Sequence, residues 1–308
     1  MSANVPFATE LTATNANLLA LAQLVAALTA RVTIDETAFK ALAAELIQDE
    51  ALIAALTTPA PAPVPPPVVD PQVQWRASME TADLSAWSEK VNTGPAADST
   101  VVLVANEGIA PRVSKLFNLP SLYAMKQSCS PTASSSAGTR MARYPEIDKL
   151  ARAGTPFYYS WWDFFPSAIS IGFGGWYNHW QIASNDPTGK PVPLWVLGIE
   201  PGMIPNFTSD PTATQGASKT FRSALAIPVG QWNFFEVYIV PRPDATGALK
   251  LWLNGQLALD ISGVQTQFAL ASQSLLTWVT SNAYGMGLSP VPFIHFLDDV
   301  TLSLGRMP

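Results

Sequence analysis

Tyr177, His179 and Gln181 occupy alternate positions in the run Trp176–Ala183, which reads as a strand. Alternation puts a phenol, an imidazole and an amide in one row on one face of a sheet, a set suited to general base work. Arg140 and Arg143 add fixed positive charge and, with Gln181, can meet a carboxylate. The same row suits a sugar, whose C–H faces stack on aromatic rings and whose hydroxyls need fixed polar partners. The candidate glycan-binding set is therefore Arg140, Arg143, Tyr159, Trp161, Trp176, Tyr177, His179 and Gln181. For each Trp and Tyr the competing reading is packing inside a β-sandwich. His295, the other of the two histidines, falls in the last predicted strand and reads as structural.

Glu80 and Asp83, with Asp299 or its neighbour Asp298, form a second candidate set. First and last strands are often neighbours in a jelly roll, and carboxylates gathered there suit a structural Ca²⁺, which prefers hard oxygen ligands. The alternative is that they are turn and cap residues. Zinc is not expected, because the sequence has no His/Cys cluster. It has no Gly-x-Ser-x-Gly nucleophile elbow and no phosphate-binding glycine loop either.

These residues sit in a chain of 308 with only 13% charged residues, 48% hydrophobic residues, 27 prolines and a net charge of −6. A nucleic-acid binder needs a basic face, and so does a protein that docks on anionic lipid. Neither is expected here. Cys129 is the single cysteine, so no internal disulfide forms. The longest apolar stretch, residues 18–32, is too short and too interrupted to span a membrane. The opening MSANVPFATE lacks the pattern of a secretory signal. Work outside a cell would then require another exit, such as release of a virus particle by lysis.

Three regions follow from the patterning. Residues 1–58 contain no Gly and are rich in Ala and Leu. Leu18, Leu21, Val25, Leu28 and Val32 recur at helical spacing, as do Phe39, Leu42, Leu46, Ile53 and Leu56. Two helices are predicted, over about 10–32 and 36–57. Such a segment is too small to be stable alone and needs a partner for its apolar stripe. Self-association through residues 10–57 is expected, with a hairpin folded on its own C-terminal domain as the alternative. Residues 59–71, PAPAPVPPPVVDP, form a stiff proline-rich spacer. Residues 72–308 carry short apolar runs separated by turn signals, which predicts a β-sandwich or jelly roll. Predicted strands are Thr100–Ala105, Pro156–Phe165, Trp176–Ala183, Leu194–Ile199, Asn233–Val240, Leu249–Leu253, Leu275–Thr280 and Pro292–Leu304, with one short helix over 144–153.

Several motifs of the third region occur in a familiar order. METADLSAW at 79–87 is similar to an opening "FETGDLSxW", and GTRMAR at 138–143 stands where a Gly-x-Arg-x-Glu strand is expected. GTPFYYSWWDFFP at 154–166 is similar to "G-x-x-Y-W-Y-S-W", and Trp180-Gln181-Ile182 to "W-Q-I-H", with Ala183 in place of His. GALKLWLNG at 247–255 and FLDDV at 296–300 complete the series. In this the region resembles the concanavalin-like jelly-roll domains of the polysaccharide lyase type, heparin-lyase-like and alginate-lyase-like members included. That resemblance implies β-elimination on a uronic acid, with Arg and Gln neutralising the carboxylate and His or Tyr moving protons. Against it stand Ala183 and the lack of a clear "Y-F-K-x-G-x-Y" strand; the nearest region, 277–287, has Tyr284 but no Lys. The stretch ALIAALTTPA at 51–60 resembles the Ala-rich stems of bacteriophage virion proteins.

The expected protein is thus mainly β: a concanavalin-like jelly-roll sandwich at 72–308 preceded by an α-helical stem. The leading functional expectation is a non-enzymatic, virion-displayed structural protein, such as a phage capsid decoration, fibre or spike, whose head binds polysaccharide at the virion surface or outside the cell. Its partners would be copies of itself and other virion proteins. The alternatives are a polysaccharide lyase or depolymerase and a purely capsid-cementing protein.

Overall fold

The computed structural model describes residues 21–26, 28–29, 72–94, 96–114, 119–143, 145–185, 191–209, 218–268 and 276–307. The chain divides into two compact units, Met1–Pro67 and Val68–Pro308. In the first, residues 21–26 and 28–29 are helical. The rest of the predicted helix 10–32, all of 36–57 and the spacer 59–71 lie outside the described residues.

The second unit is built from strands β1 (Val73–Ala77), β2 (Glu89–Thr93), β3 (Asp98–Leu103), β4 (Arg112–Val113), β5 (Pro120–Ser121), β6 (Tyr123–Cys129), β7 (Ala137–Arg143), β8 (Phe157–Phe164), β9 (Ser170–Asn185), β10 (Pro191–Glu200), β11 (Ile204–Ser209), β12 (Thr220–Arg222), β13 (Trp232–Val240), β14 (Gly247–Leu253), β15 (Gln256–Val264), β16 (Leu276–Ser289) and β17 (Phe293–Ser303). One helix, Pro145–Arg152, turns Ile147, Leu150 and Ala151 inward. Sheet A has the order β15-β14-β13-β8-β17-β6-β3, with β1 also on β17. Sheet B has the order β12-β11-β10-β9-β16-β7-β2. All pairs are antiparallel, and the architecture is the predicted sandwich.

Alternation explains how the sheets face each other. In β14, Leu249, Leu251 and Leu253 are buried, while Ala248, Lys250 and Trp252 are partly exposed. The hairpin to β15 turns at Asn254 and Gly255, both with positive φ (51° and 82°), the geometry that favours this residue pair. In β8, Phe157, Tyr159, Trp161 and Asp163 point inward, whereas Tyr158, Trp162 and Phe164 are only partly buried. Between the sheets Trp161 stacks on Phe235 (5.1 Å between centroids, 7° between planes) and on Trp180 (6.4 Å, 9°). Large aromatic side chains thus fill the interior without a disulfide. Cys129 is buried and free, and burial pushes its thiol up to about 12.

Candidate active site

Strands β11, β10, β9, β16 and β7 lie side by side and line an open cleft of about 890 Å³. Arg140 enters it from β7, Tyr284 from β16, and Asn178 and Gln181 from β9. Trp176 forms part of the wall; Glu200, Asn206 and Thr208 complete the polar lining. The Tyr284 ring stands edge-on to Trp176 (4.8 Å, 72°), and its hydroxyl lies 3.3 Å from Ser136 Oγ. Glu200 accepts from Arg222 Nε at 2.7 Å.

The cleft amides Asn178 and Gln181 are ordered by each other and by the buried Asn282. Asn282 Nδ2 donates to Asn178 Oδ1 (2.8 Å), and Asn178 Nδ2 donates to Gln181 Oε1 (2.6 Å). Each oxygen in the series is an acceptor for the amide before it. The amino group of Gln181 is therefore the donor end, suited to a carboxylate oxygen or a hydroxyl.

Asn178 and Gln181 share the cleft although three positions separate them. The cause is an irregularity in β9. Trp180 pairs with Leu197 and Asn178 with Gly198, leaving His179 without a partner in β10. Such an extra residue re-aims side chains. It corrects the predicted row: Gln181 lines the cleft, but His179 turns into the interior and is 1% exposed. Tyr177 borders the cleft with its body, yet it is 4% exposed and its hydroxyl faces His179. Tyr159 and Trp161 are buried between the sheets, beyond the reach of a sugar. Arg143 lies outside the cleft lining: it pairs with Glu146 (2.8 Å), donates to the Ala86 carbonyl and sits over the Trp75 ring. Of the eight candidates, the cleft brings together the side chains of Arg140, Trp176 and Gln181. Asn178, Asn282, Asn206 and Glu200 were not singled out from sequence. Tyr284 was noted there only as part of an incomplete motif.

The acidic candidates are also placed differently from expectation. β1 does pair with β17. However, Asp299 faces the guanidinium groups of Arg76 and Arg112, and Arg112 also lies 2.7 Å from Asp298. Glu80 accepts from Ser121 Oγ and from the backbone N–H groups of Leu122 and Tyr123. Asp83 caps its own turn through Ser85. Two arginines flank Asp299, and among the described residues Glu80, Asp83 and Asp299 do not come together as one three-ligand group. Burial raises the Asp298 carboxyl to about 7 despite Arg112, whereas Arg112 and Arg76 outweigh burial at Asp299 and hold it below the usual range.

The comparisons with known proteins fit this geometry. Residues 79–275, well over half the chain, match the family profile described as polysaccharide lyase. The chain belongs to the polysaccharide lyase family. No curated protein sequence matches it significantly. Among solved structures, this lyase-family domain shares its fold with an endo-β-1,4-glucuronan lyase from the fungus Trichoderma reesei, at 13% identity and a TM-score of 0.53; the match covers 75% of this chain and 95% of that one. An alginate lyase solved with an alginate trisaccharide matches at 12% identity and a TM-score of 0.44, over 76% of this chain and 99% of that one. The first of these likenesses supports the β-sandwich fold.

Proposed function

We propose that the C-terminal domain cleaves a uronate-containing polysaccharide by β-elimination, rather than only binding it. The observation that carries this reading is the meeting of Arg140, Gln181 and Tyr284 in one open cleft of a polysaccharide lyase family fold. In such a reaction the proton beside the carboxylate leaves, the C–O bond to the departing sugar breaks, a C=C bond forms, and the leaving oxygen gains a proton. Arg140 and the amino group of Gln181 bind the carboxylate and favour the negative charge that develops as the proton departs. Tyr284 is the group suited to move protons; Glu200, the other acid lining the cleft, is held by Arg222. Ala183 in place of the family's His leaves this work to fewer groups.

Arg140→Ala is expected to lower kcat/KM by roughly 10- to 100-fold, the range for losing a charge-assisted hydrogen bond. The assay is the ultraviolet absorbance of unsaturated products released from a panel of glucuronans, alginates and capsular polysaccharides. A wild-type protein that produces none, while binding one of them in the cleft, would return the domain to a glycan-binding role.

We further propose that the N-terminal segment self-associates and displays several heads together, as on a virus particle. Support comes from Leu21, Leu24, Val25 and Leu28, which are helical and more than half exposed within the single chain. Multivalent display would turn weak sugar contacts into avidity. Sedimentation of the full chain is expected to give an oligomer that Leu21→Ser with Leu28→Ser dissociates. A wild-type monomer at all concentrations would end this reading.

A further inference from the structure

Both histidines of the chain lie in the interior of the sandwich, on one carboxylate. Asp163 comes from β8 of sheet A, His179 from β9 of sheet B and His295 from β17 of sheet A. His295 Nδ1 stands 3.0 Å from Asp163 Oδ1, and His179 Nε2 stands 2.9 Å from Asp163 Oδ2, although the latter N–H is not well lined up on the oxygen. All three are buried among aromatic rings: His295 stacks on Phe165 and Phe293, and His179 lies against Trp161 and Phe235. Three ionisable groups in such a place are costly, and hydrophobic residues would fill the space at no such cost.

The trio does not end at His179. Tyr177 Oη lies 3.2 Å from His179 Nδ1 and 3.3 Å from the backbone carbonyl of Asn282. That carbonyl belongs to an irregular stretch of β16: Ser281 pairs with Trp180 and Tyr284 with Asn178, so Asn282 and Ala283 have no partner in β9. The Tyr177 hydroxyl thus reaches a backbone carbonyl where β16 and β9 fall out of register, while on its other side Asn282 pairs with Arg140 of β7. Asn282 in turn begins the amide series to Asn178 and Gln181 in the cleft, and Tyr284 follows two residues later.

We infer that Asp163, His179 and Tyr177 are positioning residues: a brace running through sheet B that fixes the irregular Asn282–Tyr284 stretch, and with it the Gln181 donor and the Tyr284 hydroxyl facing substrate. This rests on the lyase reading for its effect on turnover, but the brace itself is independent of it. Electrostatics agrees with the geometry. Burial raises the Asp163 carboxyl, but its histidine neighbours, His295 first, outweigh burial and hold it below the usual carboxylate range. Burial lowers His179 more than Asp163 raises it, which favours the neutral imidazole. With Nε2–H toward the carboxylate, its Nδ1 is an acceptor, so the single Tyr177 proton stands between two acceptors, Nδ1 and the Asn282 carbonyl. Close packing at the next link leaves little slack: a Cβ on Gly138 of β7 would run into the Ala283 carbonyl and the Tyr284 backbone.

Tyr177→Phe in the full chain removes the hydroxyl and keeps the ring against Phe293. The far-ultraviolet circular dichroism is expected to match wild type, while the side-chain amide resonances of Asn178, Asn282 and Gln181 in a ¹⁵N-Asn/Gln-labelled sample shift or broaden. Turnover is expected to fall about 10-fold or more with KM within about twofold, as for misplaced reacting groups. Asp163→Asn, which keeps the shape and removes the charge, is expected to move the same resonances; if it does not fold, Tyr177→Phe decides alone. Unchanged amide resonances in Tyr177→Phe overturn the brace whether or not the protein cleaves polysaccharide. A wild-type protein without turnover but with shifted resonances in the variant overturns only the lyase reading. Stoichiometric zinc or iron in the purified wild-type chain, lost in His295→Gln, overturns the brace by making the trio a metal centre.

Discussion

Tyr284→Phe is expected to lower kcat by about 100-fold or more while the affinity for polysaccharide stays within about twofold. The reason is the division of labour in the cleft. The Tyr284 ring packs edge-on against Trp176, and Phe keeps that contact. What is lost is one hydroxyl, whose neighbour among the described residues is Ser136. General acid–base groups typically contribute 10²–10⁴-fold to rate, and Glu200 is already engaged by Arg222. A loss confined to kcat marks a group used in the transition state. Product formation at a wild-type rate would remove Tyr284 from the mechanism. A large loss of binding instead would make the hydroxyl a substrate contact, and the proton-moving role would fall.

Arg112→Ala is expected to be the most destabilising substitution outside the aromatic interior, by roughly 3–5 kcal/mol, the range for breaking a buried ion pair. Arg112 lies 2.7 Å from Asp298 and 2.9 Å from Asp299, and its guanidinium stands 5.1 Å from the centre of the Trp162 ring. Without it, two adjacent buried carboxylates share only Arg76, which reaches Asp299. The melting temperature of the sandwich is expected to fall by about 10 °C or more. Adding Asp298→Asn should recover part of the loss, because without Arg112 the buried Asp298 carboxyl must otherwise take up a proton beside the charged Asp299. Acidity provides a second readout. The folded Asp298 carboxyl titrates near 7, well above its ordinary 3.8. The folded state therefore binds this proton more tightly than the unfolded chain between about pH 4 and 7. From this group, stability rises on acidification from pH 7 toward 4, by at most about 1.4 kcal/mol per pH unit. Further acidification brings a loss from carboxyls held low, such as Asp299 and Asp163. A melting temperature that falls steadily from pH 7.5 to 5, unchanged by Asp298→Asn, would refute this account.

The strands were legible where alternation is regular. Leu249, Leu251 and Leu253 give β14 its buried face, and the Asn254–Gly255 pair gives its turn. The predicted strand Leu275–Thr280 covered only the start of β16, because polar and glycine residues from Ser281 to Gly287 carry little apolar signal. β6 and β11 were missed for a related reason: Lys126, Gln127 and Asn206 are polar residues placed in strands by their neighbours, whereas β7 was found only through the resemblance of its GTRMAR motif. The candidate site was legible in Arg140, Trp176 and Gln181. Within β9, Tyr177 and His179 failed at one residue. A strict period of two cannot reveal the extra residue at His179, and past that point each side chain is assigned to the opposite face. Two bulky residues in succession, His179 and Trp180, were the available sign that the period breaks there. At Tyr159 and Trp161 the period was right and the face was not; Tyr158 and Trp162 are the partly exposed members. The ion cluster was a different kind of miss. Sequence identified the carboxylates, but Arg76 and Arg112, 36 residues apart, meet them only through tertiary packing.

The place of β17 also bears on how the chain is made. It is the last strand of the domain, yet it lies inside sheet A, between β8 on one side and β6 and β1 on the other. During synthesis, β8 and β6 are completed more than a hundred residues before the strand that joins them. Sheet A cannot close until residues 293–303 have left the ribosome, and until then those strands expose unpaired edges. Folding of this domain is thus a late, whole-length event with long-range contacts, a class that folds slowly. Nascent chains halted before residue 293 are the species in which aggregation or chaperone capture should concentrate.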